Sequence, residues 1–181
     1  MCIRDRAKEG AFISGSEAQY TYRLEHFGDA QAVDLSMPDN MDAVFGAGNY
    51  TVSSPVLVSG PSSLGVNSGF NGGSDQELLA TGSYLSPGDT AEIQIVVTIL
   101  NLADPQGNGL GVYENEVTVT GENPYGDPVS DDSTDGPIPT DGGLGTETVI
   151  TAAFAEITGT CLLYTSPSPR DATLSRMPSS A

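Results

Sequence analysis

Short segments in which inward and outward residues strictly alternate recur along this chain, and they constrain its fold more than any other feature. The clearest lie at 18–27 and 93–99. A period of two is typical of a half-buried β-strand, and no segment shows a sustained helical period. One face of the first segment consists of Ala18, Tyr20, Tyr22, Leu24 and His26. The chain is therefore predicted to be built from strands.

Turn signals rich in Gly, Pro, Asn and Asp separate these segments. Strands are predicted at 18–27, 31–37, 50–58, 78–85, 93–99, 112–121 and 146–157, with a helical turn at 40–45. Short strands with regular turns favour an all-β fold, an immunoglobulin-like antiparallel β-sandwich of about seven to eight strands. The predicted inward residues are Tyr22, Leu24, Val33, Leu35, Ile93, Ile95, Val97, Val117 and Val119.

The charge balance is strongly acidic, with 24 acidic and 6 basic residues and a formal net charge of -18. Such a chain repels nucleic acid and anionic membranes, so neither is expected as a partner. No apolar run is long enough to insert into a membrane, and no leader peptide is recognisable. Cys2 and Cys161 do not make a disulfide framework. We expect an internal piece of a longer exported protein.

Both ends of the chain differ in composition from the middle. Four of the six basic residues and both cysteines lie in residues 1–6 and 161–181. The strings MCIRDR and CLLYTSPSPRDATLSRMPSSA resemble translated sequencing-adapter read-through. We therefore interpret 1–6 and 161–181 as non-native or disordered and 7–160 as the sandwich domain, with an acidic Gly/Asp-rich segment near 127–145.

Three blocks of the sequence carry a family resemblance, in order along residues 7–150. They read LEHFGDAQAVDLSMPDNMDAVFG, NSGFNGGSDQELLATGSYLSPGDTAEIQIVVTI and YENEVTVTGENPYGDPVSDDSTDG. This order resembles a bacterial exported surface-repeat module of unknown function. The resemblance implies an immunoglobulin-like fold, tandem repetition and a role in stalks or adhesins. The family's usual Asn-Thr-Gly turn reads His26-Phe27-Gly28 here, and only the glycine is retained.

Residues for catalysis are scarce. His26, the single histidine, lies on the inward face of an alternating strand and is interpreted as a hydrogen-bonded structural residue. No G-x-S-x-G nucleophile motif is present. Among so many acidic side chains, chance carboxylate pairs are inevitable and indicate no glycosidase. The chain is therefore predicted not to be an enzyme.

Calcium is the one cofactor that the composition favours, because Ca²⁺ binds six to eight oxygen ligands. The candidate ligands are Asp127, Asp131, Asp132, Asp135 and Asp141. The alternative interpretation is a solvated acidic linker. A weaker candidate consists of Asn67, Asn71, Gly72, Gly73 and Asp75, for which the alternative is an ordinary Gly/Asn turn.

A covalent cross-link is a further hypothesis. Isopeptide bonds in pilin-like sandwiches join a lysine on the first strand to an Asn or Asp on a late strand, beside a buried acid. Lys8 is the single lysine and is interpreted as opening a first strand ahead of the one at 18–27, and Asn115 lies on the inward face of a late strand. The alternative is a solvent-facing lysine at a domain edge.

These observations predict a non-catalytic structural repeat of a bacterial extracellular or cell-surface protein. Its expected partners are neighbouring repeats of the same parent chain. The second hypothesis is an adhesin module that recognises a glycan or host surface protein through the long loops 59–76 and 101–110. The third is an accessory domain of a larger extracellular hydrolase.

Overall fold

A computed structural model describes residues 6–138 and 145–152, and in this part of the chain nearly all regular structure is β. One short helix, α1 (Met41–Phe45), interrupts the strands. The strands are β1 (Arg6–Phe12), β2 (Glu17–Glu25), β3 (Val33–Ser36), β4 (Tyr50–Val52), β5 (Val56–Ser59), β6 (Thr90–Ile99), β7 (Val112–Asn115), β8 (Thr118–Glu122), β9 (Pro128–Asp132), β10 (Thr134–Asp135) and β11 (Thr148–Thr151). The predicted all-β fold class is confirmed.

The strands form three sheets around one apolar core. The largest has the order β10-β1-β2-β6-β4, with β5 also paired to β6. The other two are β3-β8-β9 and β11-β7. All pairings are antiparallel except that of β1 with β10. Buried residues of all three sheets belong to the same hydrophobic cluster, as expected for a sandwich.

The predicted inward residues are buried, with one exception. Val33 is only half-buried. The next residue, Asp34, has a positive φ of 50°, and the pairing of β3 with β8 shifts its register between Val33 and Ser36. An irregularity of this kind moves a side chain out of the simple alternation, which a period-two pattern does not anticipate.

Several predicted strand boundaries need correction. Residues 78–85 form no strand, because Leu78 and Leu79 are both buried and the segment pairs only through single bridges. The segments 50–58 and 112–121 each divide into two strands. β9 and β10 lie where turns and an acidic segment were expected. The predicted last strand is observed as β11, and residues 153–157 lie outside the described part, as do 1–5 and 161–181.

The predicted helical turn is α1, and it sits against the long loop 59–76. Asn40 caps the helix by accepting a hydrogen bond from the Ala43 amide (3.0 Å). The Asp42 amide donates to the carbonyl of Gly72 in the loop (3.2 Å). Gly72 has a φ of +73°, and a Cβ there would lie 2.5 Å from Met41. The loop and the helix therefore approach closely at a position that only glycine fits.

We expect Gly72→Ala to lower the free energy of unfolding by about 2–4 kcal/mol, because it combines a strained backbone with overpacking against Met41. Gly82→Ala is the matched control, since Gly82 has a φ of +79° and open space around its Cα. The control should cost only about 1–2 kcal/mol. Chemical denaturation measures both values. Equal costs would show that the contact with Met41 does not constrain the loop.

Within the part of the chain that the structure describes, no helix is both long and apolar enough to cross a membrane.

Candidate functional site

Lys8 lies inside the protein. It is on β1, directly opposite Tyr22 of β2 in the sheet register, and its side chain is 0% exposed. The next strand residue, Glu9, is exposed, so the strand turns its lysine inward and its glutamate outward. A lysine is almost never fully buried unless it is paired. The interpretation of Lys8 as a solvent-facing edge residue is therefore wrong.

Asp39 is the partner of this lysine. It follows β3 and immediately precedes the capped helix α1, and its side chain is also 0% exposed. The Asp39 amide donates to the carbonyl of Gln76, which fixes the backbone to the loop 59–76. The Lys8 Nζ to Asp39 Oδ2 distance is 3.0 Å. Loop, helix and strand together hold the carboxylate beneath the amine.

Asn115, the last residue of β7, joins Lys8 and Asp39 in this buried group. It is 3% exposed, and its Nδ2 donates to Asp39 Oδ2 at 3.2 Å. On its other side it is paired with Thr148 of β11, which is itself buried. The Thr148 hydroxyl donates to the carbonyl of Lys8 at 2.9 Å. β11 therefore connects the strands of the lysine and the asparagine and covers the site.

One carboxylate oxygen accepts hydrogen bonds from three side chains of this site. Asp39 Oδ2 accepts from Lys8 Nζ, from Asn115 Nδ2 and from the Tyr22 hydroxyl, the last at 2.7 Å. Asp39 Oδ1 has no hydrogen-bond partner among the described residues. Because the amine and the carboxamide contact the same atom, the two groups lie within reach of each other.

Burial lowers the pKa of the Lys8 amine below 10.5, and this effect outweighs the opposing influence of the Asp39 charge and hydrogen bond and of the Glu116 charge. Desolvation disfavours a charged ammonium, so the neutral amine becomes accessible at lower pH than in an exposed lysine. A neutral amine is the nucleophilic form. Burial also raises the pKa of Tyr22, with the Asp39 charge adding to the effect, so this hydroxyl keeps its proton.

Aromatic rings form the wall around the amine. Lys8 Nζ lies 4.8 Å from the ring centroid of Tyr20 and 5.1 Å from that of Tyr22. Phe45 of α1 packs edge-on against Tyr20 at 6.4 Å. The Tyr20 hydroxyl is buried without a hydrogen-bond partner among the described residues. Such an orphan hydroxyl costs about 1–3 kcal/mol of stability.

The arrangement supplies the three components of an amide exchange. Lys8 provides a desolvated amine, Asn115 provides a carboxamide, and Asp39 can take a proton from one nitrogen and deliver it to the other. The apolar wall excludes water, which strengthens these interactions and prevents hydrolysis. The three residues that the hypothesis of a Lys8–Asn115 bond requires therefore meet in one buried site.

The rate of bond formation should rise with pH. In acid the Lys8 amine is protonated, and about one decade of rate is expected per pH unit well below its pKa. The rate should level off at a pH below 10.5, because burial lowers the pKa. Refolding the chain from denaturant at a series of pH values, with mass spectrometry for ammonia loss and circular dichroism for folding, measures the profile. A flat profile in the folded chain would contradict an amine nucleophile.

The predicted calcium ligands lie at different places. Asp127 is in the turn before β9 and accepts a hydrogen bond from the Asn123 side chain (2.9 Å). Asp131 and Asp132 are neighbours on β9, and Asp132 accepts from the Thr118 hydroxyl (2.6 Å). Asp135 is on β10, and Asp141 lies outside the described residues. Within residues 6–138 and 145–152, no three His, Cys, Asp or Glu side chains come together as a metal site.

The weaker candidate for a calcium site, in loop 59–76, is a hydrogen-bonded turn. Asn67 Nδ2 donates to both carboxylate oxygens of Asp75 at 3.0 Å. Asn71 Oδ1 accepts from the amides of Gly73 and Asp75. Amide donors thus occupy the oxygens that a cation would need, which matches the alternative of an ordinary Gly/Asn turn. Gly72 serves the contact with α1 described above.

His26 is a structural residue, as predicted. It is 1% exposed, its Nε2 lies 2.7 Å from the carbonyl of Ala30, and its Nδ1 accepts from the Gly28 amide at 3.3 Å. Both ring nitrogens are therefore used to hold the turn after β2.

Asp39 is the member of this buried group that was not predicted from the sequence. It lies between the strand predicted at 31–37 and the helical turn predicted at 40–45. The sequence contains one signal for its burial. Residue 39 continues the inward alternation of residues 35 and 37, and Met41 follows it. An acid at an inward position between buried apolar residues indicates a buried charge that needs a partner.

No family model and no curated protein matches this chain. Solved structures with a similar fold include BcpA, the major pilin subunit of Bacillus cereus (10% identity, TM-score 0.45, 75% of this chain and 39% of that one). Another is the collagen-binding subdomain of the Enterococcus faecalis surface protein ACE (8% identity, TM-score 0.37, 75% of this chain and 95% of that one).

A third similar structure is a GH20 exo-β-N-acetylglucosaminidase from Vibrio harveyi (12% identity, TM-score 0.38). The match covers 74% of this chain but only 18% of the enzyme. The chain thus spans less than half the length of this enzyme and of the pilin, and none of the three similarities assigns a function to it.

Proposed function

We propose that this chain is a structural module of a bacterial cell-surface protein, and that it cross-links itself through an isopeptide bond between Lys8 and Asn115. The observation that carries the proposal is the buried contact of Lys8 and Asn115 with one oxygen of Asp39, at 3.0 and 3.2 Å. A lysine and an aspartate that are both 0% exposed form a costly pair, and a sandwich core could hold apolar residues there instead.

The bond would form by amide exchange. Lys8 Nζ attacks Cγ of Asn115, and the C–Nδ2 bond breaks. Asp39 accepts a proton from the amine and returns it to the departing nitrogen, so that one ammonia leaves and no cofactor or oxidant is consumed. The product is a secondary amide that still donates to the Asp39 carboxylate.

The topology gives the bond a mechanical role. Lys8 belongs to the six-stranded sheet and Asn115 to the two-stranded sheet, so the bond would tie two sheets of the sandwich together covalently. It would close a loop that contains residues 9–114. A stalk exposed to proteases and tension benefits from a link that cannot open when hydrogen bonds fail locally. Neighbouring repeats of the same parent chain are the proposed partners, and the location is extracellular.

Trypsin mapping tests the proposal because of where the basic residues lie. Arg23 is the one tryptic site between Lys8 and Asn115. In the cross-linked chain, digestion after denaturation should leave peptide 7–23, uncut at Lys8, joined to peptide 24–170. Asn115→Ala should give separate peptides and cleavage at Lys8. Separate peptides from the wild-type chain would refute the cross-link.

The loop 59–76 favours the structural role over ligand recognition. Its polar side chains bond to one another, and its backbone holds both α1 and Asp39. Among the described residues, no comparable arrangement of side chains supports the recognition of a glycan or host protein. The same holds for the role of an accessory domain in a larger hydrolase.

Calcium bracing of the acidic segment near 127–145 stays a prediction from the sequence. Thermal unfolding with calcium and then with a chelator tests it. A rise of several degrees that is abolished by changing Asp131, Asp132 and Asp135 to Asn would establish a metal site. Identical curves would identify the segment as solvated acidic chain.

A further inference from the structure

Two buried side-chain polar atoms lack a hydrogen-bond partner among the described residues, and both belong to the Lys8 site. They are Asp39 Oδ1 and the hydroxyl of Tyr20. Buried polar groups in folded proteins are nearly always satisfied, and an orphan group calls for an explanation. Two orphans side by side with a reactive amine suggest hydrogen bonds that form during the reaction and not before it.

The two tyrosines of the site differ in this respect. Tyr20 and Tyr22 are two residues apart on β2 and both face inward, at 0% and 2% exposure. The Tyr22 hydroxyl is committed to Asp39 Oδ2 at 2.7 Å. The Tyr20 hydroxyl makes no hydrogen bond to any described residue. Only Tyr20 therefore has a proton free to meet a new acceptor.

The ring of Tyr20 is held in place from both sides. Across the sheet it is opposite Gly10, where a Cβ would lie 2.8 Å from its Cε1. Phe45 packs against its edge, and Lys8 Nζ lies 4.8 Å from its centroid. Glycine at position 10 leaves the space that the ring occupies, so the hydroxyl is carried on a rigid support.

Burial raises the pKa of Tyr20, and the Asp39 charge adds to this effect. Asn115 acts in the opposite direction on this pKa. The hydroxyl therefore keeps its proton as a donor. The carboxamide reacts where Lys8 Nζ lies, 4.8 Å from the centre of the Tyr20 ring, because Lys8 and Asn115 both contact Asp39 Oδ2.

Amide exchange creates an acceptor at this place. When Lys8 Nζ bonds to Cγ of Asn115, the carbonyl electrons move to Oδ1 and form an oxyanion. We propose that the Tyr20 hydroxyl donates a hydrogen bond to this oxyanion and so acts as a catalytic residue for the cross-link. When the oxyanion collapses, the C–Nδ2 bond breaks and ammonia leaves with the proton from Asp39. This inference rests on the proposed function.

A donor of this kind raises the rate without supporting the fold. Tyr20→Phe should slow ammonia loss by about 10²–10³-fold, the usual effect of removing one oxyanion donor. In the Asn115→Ala background, which cannot react, Tyr20→Phe should leave the melting temperature unchanged or raise it, because an unsatisfied hydroxyl is removed.

Tyr113→Phe is the matched control. Tyr113 is also 0% exposed, but its hydroxyl accepts a hydrogen bond from the Ala103 amide at 3.3 Å. This change should lower the melting temperature and leave the rate unaltered. Both variants are refolded from denaturant, and ammonia loss is followed by mass spectrometry.

The outcomes separate the two proposals. Ammonia loss from the wild-type chain with an equal rate in Tyr20→Phe would overturn the role of Tyr20 and leave the cross-link standing. Loss of stability in Tyr20→Phe without a slower reaction would show a structural hydroxyl. A wild-type chain that never loses ammonia would overturn the proposed function itself.

Discussion

Asp39→Ala is expected to abolish the cross-link and to destabilise the protein beyond the loss of the bond. Removing one member of a buried ion pair typically costs about 3–5 kcal/mol, because the other charge is left uncompensated. Asn115→Ala is the reference, since it also lacks the bond but keeps Lys8 paired with Asp39. The difference in unfolding free energy between the two variants therefore measures the cost of burying the Lys8 charge without its partner.

The cost of Asp39→Ala should depend on pH. The folded-state pKa of Lys8 is already lowered by burial, and loss of Asp39 removes the contribution that raises it. The unfolded chain then binds more protons than the folded one between that lowered pKa and 10.5, so stability rises with pH across this window and falls as the pH is lowered. Urea denaturation at several pH values measures the slope.

Two controls accompany this variant. Asp104→Ala removes an exposed carboxylate of the 101–110 loop and should change stability little. The double variant Lys8→Met, Asp39→Leu replaces the pair by apolar residues and should recover most of the loss without forming a bond. An Asp39→Ala protein as stable as Asn115→Ala at every pH would show that Lys8 is not a buried charge.

Asn115→Ala is expected to melt about 10–20 °C below the wild-type protein. In the chain-entropy model a link that closes a loop of about 100 residues stabilises by roughly 4–5 kcal/mol. For a domain of this size each kcal/mol corresponds to about 2–4 °C. The loss of one hydrogen bond to Asp39 adds only about 1 kcal/mol. Differential scanning calorimetry measures the shift.

Asn101→Ala is the matched control for this variant, because Asn101 is exposed and its side chain makes no hydrogen bond in the described structure. It should melt within about 2 °C of the wild-type protein. If Asn115→Ala also melts that close to the wild-type protein, no covalent link holds residues 8 and 115 together.

The strands were predictable where the pattern is local. Tyr20, Tyr22 and Leu24 alternate with polar residues, and a half-buried strand follows from that period alone. Residues 78–85 were wrongly predicted to form a strand, because two adjacent leucines are buried in a segment with little regular pairing. Their burial depends on the long loop 59–76 and on β3, and no local pattern contains that information.

Half of the site was predictable in the same way. Lys8 stood out as the single lysine and Asn115 as a polar residue on an apolar face. Asp39 could be found only through three-dimensional packing, because α1 and the loop 59–76 place it under a strand that is distant in the chain. The same holds for Tyr20, which looks like an ordinary core residue until its hydroxyl is found without a partner.

The mass of the intact, denatured chain tests the central claim most directly. The wild-type protein should be lighter than its sequence mass by one ammonia, while Lys8→Met and Asn115→Ala should show their full calculated masses. A wild-type chain at its full calculated mass, folded and left at neutral pH, would contradict the account. Lys8 and Asn115 would then be only a buried, hydrogen-bonded pair.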